Sequence, residues 1–340
     1  MTAAAVAATT IAVAITGVGG AVAVPQPDVA TVRRQVTELR HQAEEATEQY
    51  NGTREKLASV SVMISAAQTR VKQQQAQVEV ARQGLGRLAA ETYKAGDLEM
   101  VSLLLSDDPD AVLAATGLRE TLGERRAQAV AALVAAERRL TQDQENLEAQ
   151  KRELTTESAR LKKLREQIDD KLDAAEALYN RLDAAQRAAY RRIGSTMDRE
   201  DLESVGVDVP ASGTLKCANV GIETASAKAR IAIDHACDQL GKPYRWGGSG
   251  PGSYDCSGLT MAAWSKAGVS LPHNAAMQAR EGTTVSQANL QPGDLLFFNN
   301  YNHTGIYLGK GLMIHAPQTG DVIKIASARL DGRLIKAVRL

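Results

Sequence analysis

Apolar residues recur at alternating intervals of three and four positions through the first third of the chain. The positions at the start of this series are Val29, Val32, Val36, Leu39, Ala43, Ala46 and Tyr50. The same spacing resumes at Leu57 and continues to Leu88 between charged and Gln-rich flanks. A 3.5-residue repeat of this length is typical of a coiled coil. At about 1.5 Å per residue, the arm from Val29 to Tyr93 would reach on the order of 100 Å.

A second apolar series follows a break in the pattern. The break covers residues 94–117, where Gly96 and the run Asp107-Asp108-Pro109-Asp110 interrupt the repeat. Beyond it, an apolar residue returns every seven positions at Leu133, Leu140, Leu147, Leu154, Leu161, Ile168, Ala175 and Leu182. Two arms around a break predict an antiparallel α-helical coiled-coil hairpin over residues 25–197. We expect this rod to be a spacer or docking surface without chemistry, with self-association through the same stripe as the alternative.

The pattern changes again after residue 197. Residues 198–225 contain interspersed Gly, Ser and Pro and are interpreted as a linker. In residues 226–340 we expect helices over 226–240, 256–267 and 274–282, and then strands over 294–299, 303–309, 312–316, 322–326 and 335–340. Helices followed by antiparallel strands predict an α+β domain that is large enough to bury its own core.

The N-terminal 24 residues carry no charged side chain and include Ala21-Val22-Ala23, a small-residue sequence that suits signal peptidase. Because no basic residue precedes the apolar stretch, the segment is interpreted either as a signal peptide or as an uncleaved membrane anchor. Both interpretations predict a secreted, extracellular or cell-wall-associated protein. Lys+Arg and Asp+Glu number 40 each without a basic face, which argues against a nucleic-acid partner.

Cys256 is the first candidate for chemistry. Asp255 directly precedes it and is a good N-cap for the helix predicted from Cys256 to Ala267. A thiolate at that position faces the positive end of the helix dipole, which favours ionisation by about 0.3 to 1 kcal/mol, or up to ~2 when partly buried. A strongly acidic thiol needs a nearby imidazolium as well. A buried, unreactive cysteine is the alternative.

Two histidines lie in adjacent predicted strands. If Gly309-Lys310-Gly311 forms a three-residue turn, Leu308 pairs with Leu312. His303 and His315 then share one face, about 7 to 8 Å apart at the backbone. We therefore expect His303 to act as the base and ion-pair partner of the thiolate, with His315 holding the ring of His303 in the required orientation and tautomer. A one-residue slip would send His315 to the opposite face.

Four sequence stretches carry a resemblance to a known family. The motifs "KPYRWGGSGPGSYDCSGLTMAAW", "LQPGDLLFF", "NHTGIYLG" and "MIHAP" resemble those of the NlpC family of bacterial cell-wall cysteine endopeptidases, from about Ser226 to the C-terminus. The resemblance implies a papain-like fold in circularly rearranged form, with Cys256 as nucleophile, His303 as base and His315 as the third member. It implies that the Tyr244 hydroxyl and the Cys256 amide hold the oxyanion.

The same resemblance implies a substrate and a form of regulation. In the family, Asp255 and Ser257 occupy positions that bind the free amino group of the substrate or shape its pocket, and the reaction is hydrolysis of the D-γ-glutamyl to diaminopimelate amide of peptidoglycan. The first two-thirds of the chain resembles the coiled-coil arms of secreted members, which dock on a membrane complex of the division machinery and restrain the peptidase. Where many relatives have "LPR", this chain has "LPHN", so His273 and Asn274 mark either a substrate preference or a neutral loop change.

Three further questions stay open in the sequence. Export would permit a disulfide between Cys217 and Cys237, and two unrelated reduced cysteines are the alternative. We expect no cofactor and no metal, because Cys256 and the histidines show no paired ligand spacing. The rivals to an endopeptidase are a catalytically silent wall-binding scaffold and an amidase or acyltransferase on the same fold.

Overall fold

The computed structural model describes residues 28–94, 109–194, 215–220, 222, 226–328 and 334–340. Its N-terminal part consists of two long helices, α1 (Val29–Lys94) and α2 (Pro109–Asn180), and the short helix α3 (Ala184–Gly194). α1 and α2 run antiparallel, since Lys171 contacts Gln42 near one end of α1 and Arg82 contacts Glu137 near the other. The two long helices predicted from the apolar repeat are confirmed.

Several apolar positions of the repeat are buried between the two helices. Val36 and Val60 of α1 and Leu164 and Ile168 of α2 are at most 5% exposed. Full burial of such a side chain is worth about 1.5–3 kcal/mol, so apolar packing holds the two helices together. Ion pairs on the flanks involve exposed groups such as Lys56 and add little, because solvent screens them.

The break between the two apolar series is shorter than predicted. Residues 95–108 lie outside the described part of the chain, and α2 begins at Pro109, so the prediction is wrong for residues 109–117. Proline suits the first turn of a helix, because the N–H that it lacks would have no acceptor within the helix there. Pro109 therefore starts a helix instead of prolonging a loop.

Two predicted segments lie wholly or largely outside the described residues. The segment expected to direct export, residues 1–24, is one, and most of the linker is the other. In the described end of that linker, Leu215, Val220 and Ile222 are buried in the core of the C-terminal domain, which therefore begins upstream of residue 226. Among the helices that the structure describes, none is long and apolar enough to cross a membrane.

In its described residues, the C-terminal domain combines three α-helices with one antiparallel sheet, which confirms the α+β prediction. The helices are α4 (Ala227–Cys237), α5 (Cys256–Lys266) and α6 (Ala275–Gln278), and the strands are β1 (Thr283–Val285), β2 (Leu295–Phe298), β3 (His303–Gly309), β4 (Leu312–His315), β5 (Lys324–Ser327) and β6 (Lys336–Arg339). The strands lie in the order β1-β6-β2-β3-β4-β5. The sequence pattern did not predict β1, a three-residue edge strand of mostly exposed residues.

A single apolar core joins α5 to the sheet. Leu259 and Trp264 of α5 pack in the same buried cluster as Phe297 of β2 and Ile306 of β3. Because these side chains leave α5 little freedom to slide, they fix the N-terminus of the helix over the start of β3. The domain thereby brings residue 256 next to residue 303, although 46 positions separate them.

The register of β3 and β4 places the two candidate histidines together. Ile306 pairs with Ile314, in the register predicted for this hairpin. The same register sets His315 opposite Gly305, where a Cβ would lie only 3.1 Å from the His315 Cβ. His303, two residues before Gly305, therefore lies on the same face as His315.

The turn of this hairpin differs from the prediction. Gly309, and not Leu308, pairs with Leu312, so the predicted three-residue turn is wrong. Lys310 and Gly311 have φ values of 53° and 73°, as a two-residue type I′ turn requires. A bulge adds one residue to β3 beside the turn. The bulge offsets the shorter turn, which is why the register farther along the hairpin is as predicted.

Candidate active site

Cys256 occupies the first position of α5, as predicted. The Asp255 side chain caps the helix by accepting a hydrogen bond from the Gly258 amide at 2.7 Å. Gly258 is required at this close approach, because a Cβ there would lie 2.0 Å from the carbonyl oxygen of Gly248. The Cys256 side chain is fully buried. The helix dipole therefore favours a thiolate at a position that is buried from water.

His303 and His315 form a hydrogen-bonded pair beside the thiol. His303 Nε2 lies 2.8 Å from His315 Nδ1, and both rings are buried. A hydrogen bond between His303 and Cys256 lowers the pKa of the thiol. The structure thus brings the three predicted catalytic side chains into one chain of contacts, from Cys256 through His303 to His315.

Tyr244 and Ser257 also lie at the candidate site. Tyr244 is buried, and its burial, followed by the proximity of Cys256, raises the pKa of the phenol well above its usual value. Its hydroxyl is therefore a hydrogen-bond donor throughout the neutral pH range. Ser257 is fully buried directly after the cysteine.

Helix α1 enters this site with two carboxylates. Glu44 forms a short hydrogen bond to His303 Nδ1. Glu48 accepts hydrogen bonds from the Ser257 hydroxyl and from the Ala275 amide, each at 2.6 Å, and Cys256 Sγ lies 3.5 Å from Glu48 Oε1. Both glutamates are buried. This part of α1 therefore contributes buried polar groups to the candidate site, which the sequence pattern did not predict.

Further polar contacts hold the same face of α1 against the domain. Asn51 donates to Asp255 Oδ2 at 2.9 Å. Asn274 donates to the backbone oxygen of Glu48 at 2.7 Å, and the His273 amide donates to Glu55 at 3.0 Å. His273 and Asn274 thus contact α1 in this structure, where the sequence left open whether they touch substrate.

Burial changes the electrostatics of the thiol. The pKa of Cys256 is raised well above its usual value, first by burial and then by the Glu48 carboxylate, and His303 opposes both only in part. Burial and the Glu48 carboxylate of α1 therefore outweigh the effect of the helix dipole, which favours the thiolate. Burial, followed by repulsion from Asp255, also raises the pKa of Glu48 to about 7.

His273 supports the N-cap of α5. Its Nε2 lies 2.7 Å from Asp255 Oδ1. Burial alone would lower the pKa of His273, but the hydrogen bond and charge of Asp255 outweigh it and raise that pKa. The raised pKa favours a positive charge on His273 beside Asp255, one of the three carboxylates that meet at the site.

The two remaining cysteines are joined. Cys217 and Cys237 form a disulfide, and Cys256 is free. The bridge attaches the N-terminal segment of the C-terminal domain to the end of α4. The predicted bridge thus leaves the candidate nucleophile as a thiol.

A protein-family model and curated relatives match the C-terminal part of the chain. The model described as the NlpC/P60 family matches residues 241–337. A "Probable endopeptidase" of Mycobacterium tuberculosis is 38% identical over 135 residues, which cover 39% of this chain and 35% of that protein. A "Probable endopeptidase p60" of Listeria monocytogenes is 45% identical over 91 residues, or 26% of this chain and 19% of that protein. The match thus spans about a third of the mycobacterial relative's length.

A solved structure matches the same part. The NlpC/p60 domain of the peptidoglycan hydrolase SagA is 33% identical, and the match covers 33% of this chain and 98% of that domain with a TM-score of 0.31. With the sequence matches over residues 241–337, the C-terminal domain of this chain belongs to the NlpC/P60 family.

Proposed function

We propose that the chain is a thiol endopeptidase that hydrolyses stem peptides of peptidoglycan, and that its own helix α1 holds it closed. The observation that carries the first part is Cys256 at a capped helix N-terminus beside the His303–His315 pair. The names of the relatives that share this domain, "Probable endopeptidase", support the same activity.

The first half of the proposed reaction forms an acyl-enzyme. His303 Nδ1 takes the thiol proton, and the Cys256 thiolate attacks the carbonyl carbon of the scissile amide. The Cys256 amide and the Tyr244 hydroxyl donate hydrogen bonds to the oxyanion. The carbon–nitrogen bond then breaks, and His303 returns the proton to the leaving amine, which leaves a thioester on Cys256.

The second half releases the acid. His303 Nδ1 takes a proton from water, the hydroxide attacks the thioester carbon, and the carbon–sulfur bond breaks. The proton on His303 then restores the thiol. His303 Nδ1 carries a lone pair at the start of both halves only if its Nε2–H donates to His315 Nδ1, so His315 selects the tautomer on which the base depends.

The substrate that we propose is the D-γ-glutamyl-diaminopimelate amide. Its support is the family resemblance of the "DCSG" stretch, in which Asp255 and Ser257 would bind the free amino group of the stem peptide or shape its pocket. In the closed structure, Asn51 already places an N–H donor on Asp255 and Glu48 occupies Ser257. Substrate and α1 therefore compete for the same polar groups.

Closure by α1 has a chemical and a steric component. Glu44 occupies His303 Nδ1, the nitrogen that must take the thiol proton, and Glu48 adds negative charge 3.5 Å from the thiol. The raised pKa of Cys256 follows from this burial and charge. The closed form thus has its nucleophile protonated and its base engaged, while α1 covers the groups that would receive substrate.

The testing experiment compares three proteins on purified peptidoglycan. These are the domain from about residue 210 onward, its Cys256→Ala form and the full chain. We expect fragments with a free diaminopimelate amine from the domain, none from the Cys256→Ala form, and fewer from the full chain. Equal products from the first two would refute Cys256 as the nucleophile, no products from the domain would leave a wall-binding scaffold, and cleavage at a different amide would indicate an amidase.

Release of α1 requires a partner or a change of conditions. We propose, from the resemblance of the N-terminal helices to regulatory arms, that the helix pair docks on a membrane complex of the division machinery. The residue 25–200 fragment should then co-purify with a membrane protein, and failure to bind any would remove this part of the proposal. The disulfide and the apolar N-terminal segment support export, which the mass of the mature protein from culture medium would test.

A further inference from the structure

Three potential metal ligands meet beneath α1. The Cys256 sulfur, a ring nitrogen of His303 and a carboxylate oxygen of Glu44 all lie within 4.8 Å of one another, and all three residues are buried. They come from three separate elements, α5, β3 and α1. The cluster is therefore complete only while α1 covers the domain.

These three groups match the chemistry of zinc. Thiolate, imidazole and carboxylate bind Zn²⁺ at about 2.3, 2.0 and 2.1 Å, which sets tetrahedral ligand atoms roughly 3.5 Å apart. The ligand atoms now lie within 4.8 Å of one another, and small rotations of the Cys256 and Glu44 side chains would bring them to the distance that zinc requires. A set with a thiolate favours zinc over Mg²⁺ or Ca²⁺, which prefer oxygen ligands throughout.

The surroundings orient the cluster for a cation. His303 Nε2 is held at 2.8 Å by His315 Nδ1, the kind of outer hydrogen bond that fixes the tautomer of a metal-binding histidine. Glu48 Oε1, 3.5 Å from the sulfur, is within reach of the fourth position. The other carboxylate oxygen of Glu44, Oε2, lies 3.8 Å from His41 Nδ1, so each oxygen of this carboxylate has a histidine neighbour.

We propose that the closed form binds one Zn²⁺ ion through Cys256, His303 and Glu44, and that the ion clamps α1 over the active site. Binding replaces the hydrogen bond between Glu44 and His303 Nδ1 with one metal bond to each, and the proton of that hydrogen bond passes to solvent. The Cys256 thiol loses its proton to solvent when the sulfur–zinc bond forms, and nothing is oxidised or reduced. The clamp rests on the closed form proposed above, because Glu44 reaches the cluster only from docked α1.

The test is zinc affinity in the full chain, measured with Zn²⁺ alone against a chromophoric chelator. Glu44→Gln keeps the shape of the side chain and removes its charge, and Glu45→Gln is the matched control because Glu45 is exposed on the same turn of α1. We expect one ion per chain, at least about tenfold weaker binding in Glu44→Gln, and unchanged binding in Glu45→Gln. Co²⁺ in place of Zn²⁺ should give a sulfur-to-metal absorption band that is lost in Cys256→Ser.

Three results would overturn the clamp: no binding, equal affinity in Glu44→Gln and the wild type, or a Co²⁺ spectrum without the sulfur band. Equal thermal unfolding of the metal-free variants checks that Glu44→Gln is folded. Autoinhibition is measured separately, with chelator present, as the activity of the full chain relative to the domain. If the wild-type full chain is inhibited but binds no zinc, only the clamp is removed. If the full chain is as active as the domain, the proposed closure by α1 is removed as well.

Discussion

Gly52 offers a way to lift α1 from the domain without weakening the helix. It faces the Asn274 side chain: a Cβ at position 52 would be 3.2 Å from the Asn274 amide nitrogen. Asn274 is buried, caps α6 and donates to Glu48. In Gly52→Leu, three further carbons beyond the Cβ would have to fit against this fixed side chain.

The expected shift in the equilibrium between the closed and open forms follows from two opposing effects of Gly52→Leu. Leucine favours a helix interior over glycine by about 0.8 kcal/mol, so α1 itself gains stability. Overpacking at the interface costs about 1–3 kcal/mol, and loss of the hydrogen bond from Asn274 costs about 1 kcal/mol more. Together they oppose closure by about 2–4 kcal/mol, which is a shift of about 30-fold to nearly 1,000-fold toward the open form.

The assay is the rate at which an alkylating reagent modifies Cys256 in the full chain, together with peptidoglycan turnover. Gly86→Leu is the control, because position 86 is on the same helix and a Cβ there meets nothing within 4 Å. Both variants should unfold at similar or higher temperature than the wild type, and only Gly52→Leu should react and turn over faster. Equal rates in the two variants would refute the assignment of α1 as an inhibitor.

Three other predictions follow from the site and the domain. Closure of the metal-free chain should weaken as pH rises through about 7, because docking of α1 raises the pKa of Glu48 from 4.5 to about 7. The contribution of Glu48 to closure is therefore complete below pH 4.5 and is lost above about pH 7. Glu48→Gln should flatten the pH dependence of Cys256 alkylation in the full chain, measured relative to the free domain. His315→Ala in the Gly52→Leu background should lower kcat by about 100-fold or more with KM little changed, and His315→Asn should recover part of the loss, since an amide oxygen can accept from His303 Nε2–H. Cys217→Ser with Cys237→Ser should destabilise the domain by about 3 kcal/mol in urea unfolding, given a sequence separation of 20, and an unchanged midpoint would contradict that estimate.

The part of the site that lies in the C-terminal domain was predictable, because short sequence patterns specify its geometry. An N-cap, a glycine-containing turn and an alternating strand pattern each specify geometry within a few residues, so Asp255, His303 and His315 could be placed from the sequence. The turn itself was wrong by one residue, because a bulge and a shorter turn give the same register as a longer turn. The register of β3 and β4 depends on the total number of residues in the turn and the bulge, and not on either number alone.

The contribution of α1 was not predictable in the same way. Glu44, Glu48, Asn51 and Glu55 recur at intervals of four, three and four, which places them on one face of the helix. On a long charged helix, such a stripe is indistinguishable from a solvated surface. What distinguishes it is burial against a domain that begins more than 150 residues later, and no local pattern encodes that contact.

The attachment of α1 to the domain that it covers has a kinetic consequence. Inhibitor and enzyme share one chain, so closure is a unimolecular step whose effective concentration is set by tether length and is typically millimolar for short flexible tethers. Residues 195–214, between α3 and the first described residue of the domain, span at most about 70 Å when extended. Dilution of the protein therefore leaves the closed fraction unchanged. Substrate must compete with α1 at a local concentration that does not fall on dilution. A single proteolytic cut within residues 195–214 would turn α1 into a separate molecule, and closure would then fall with dilution.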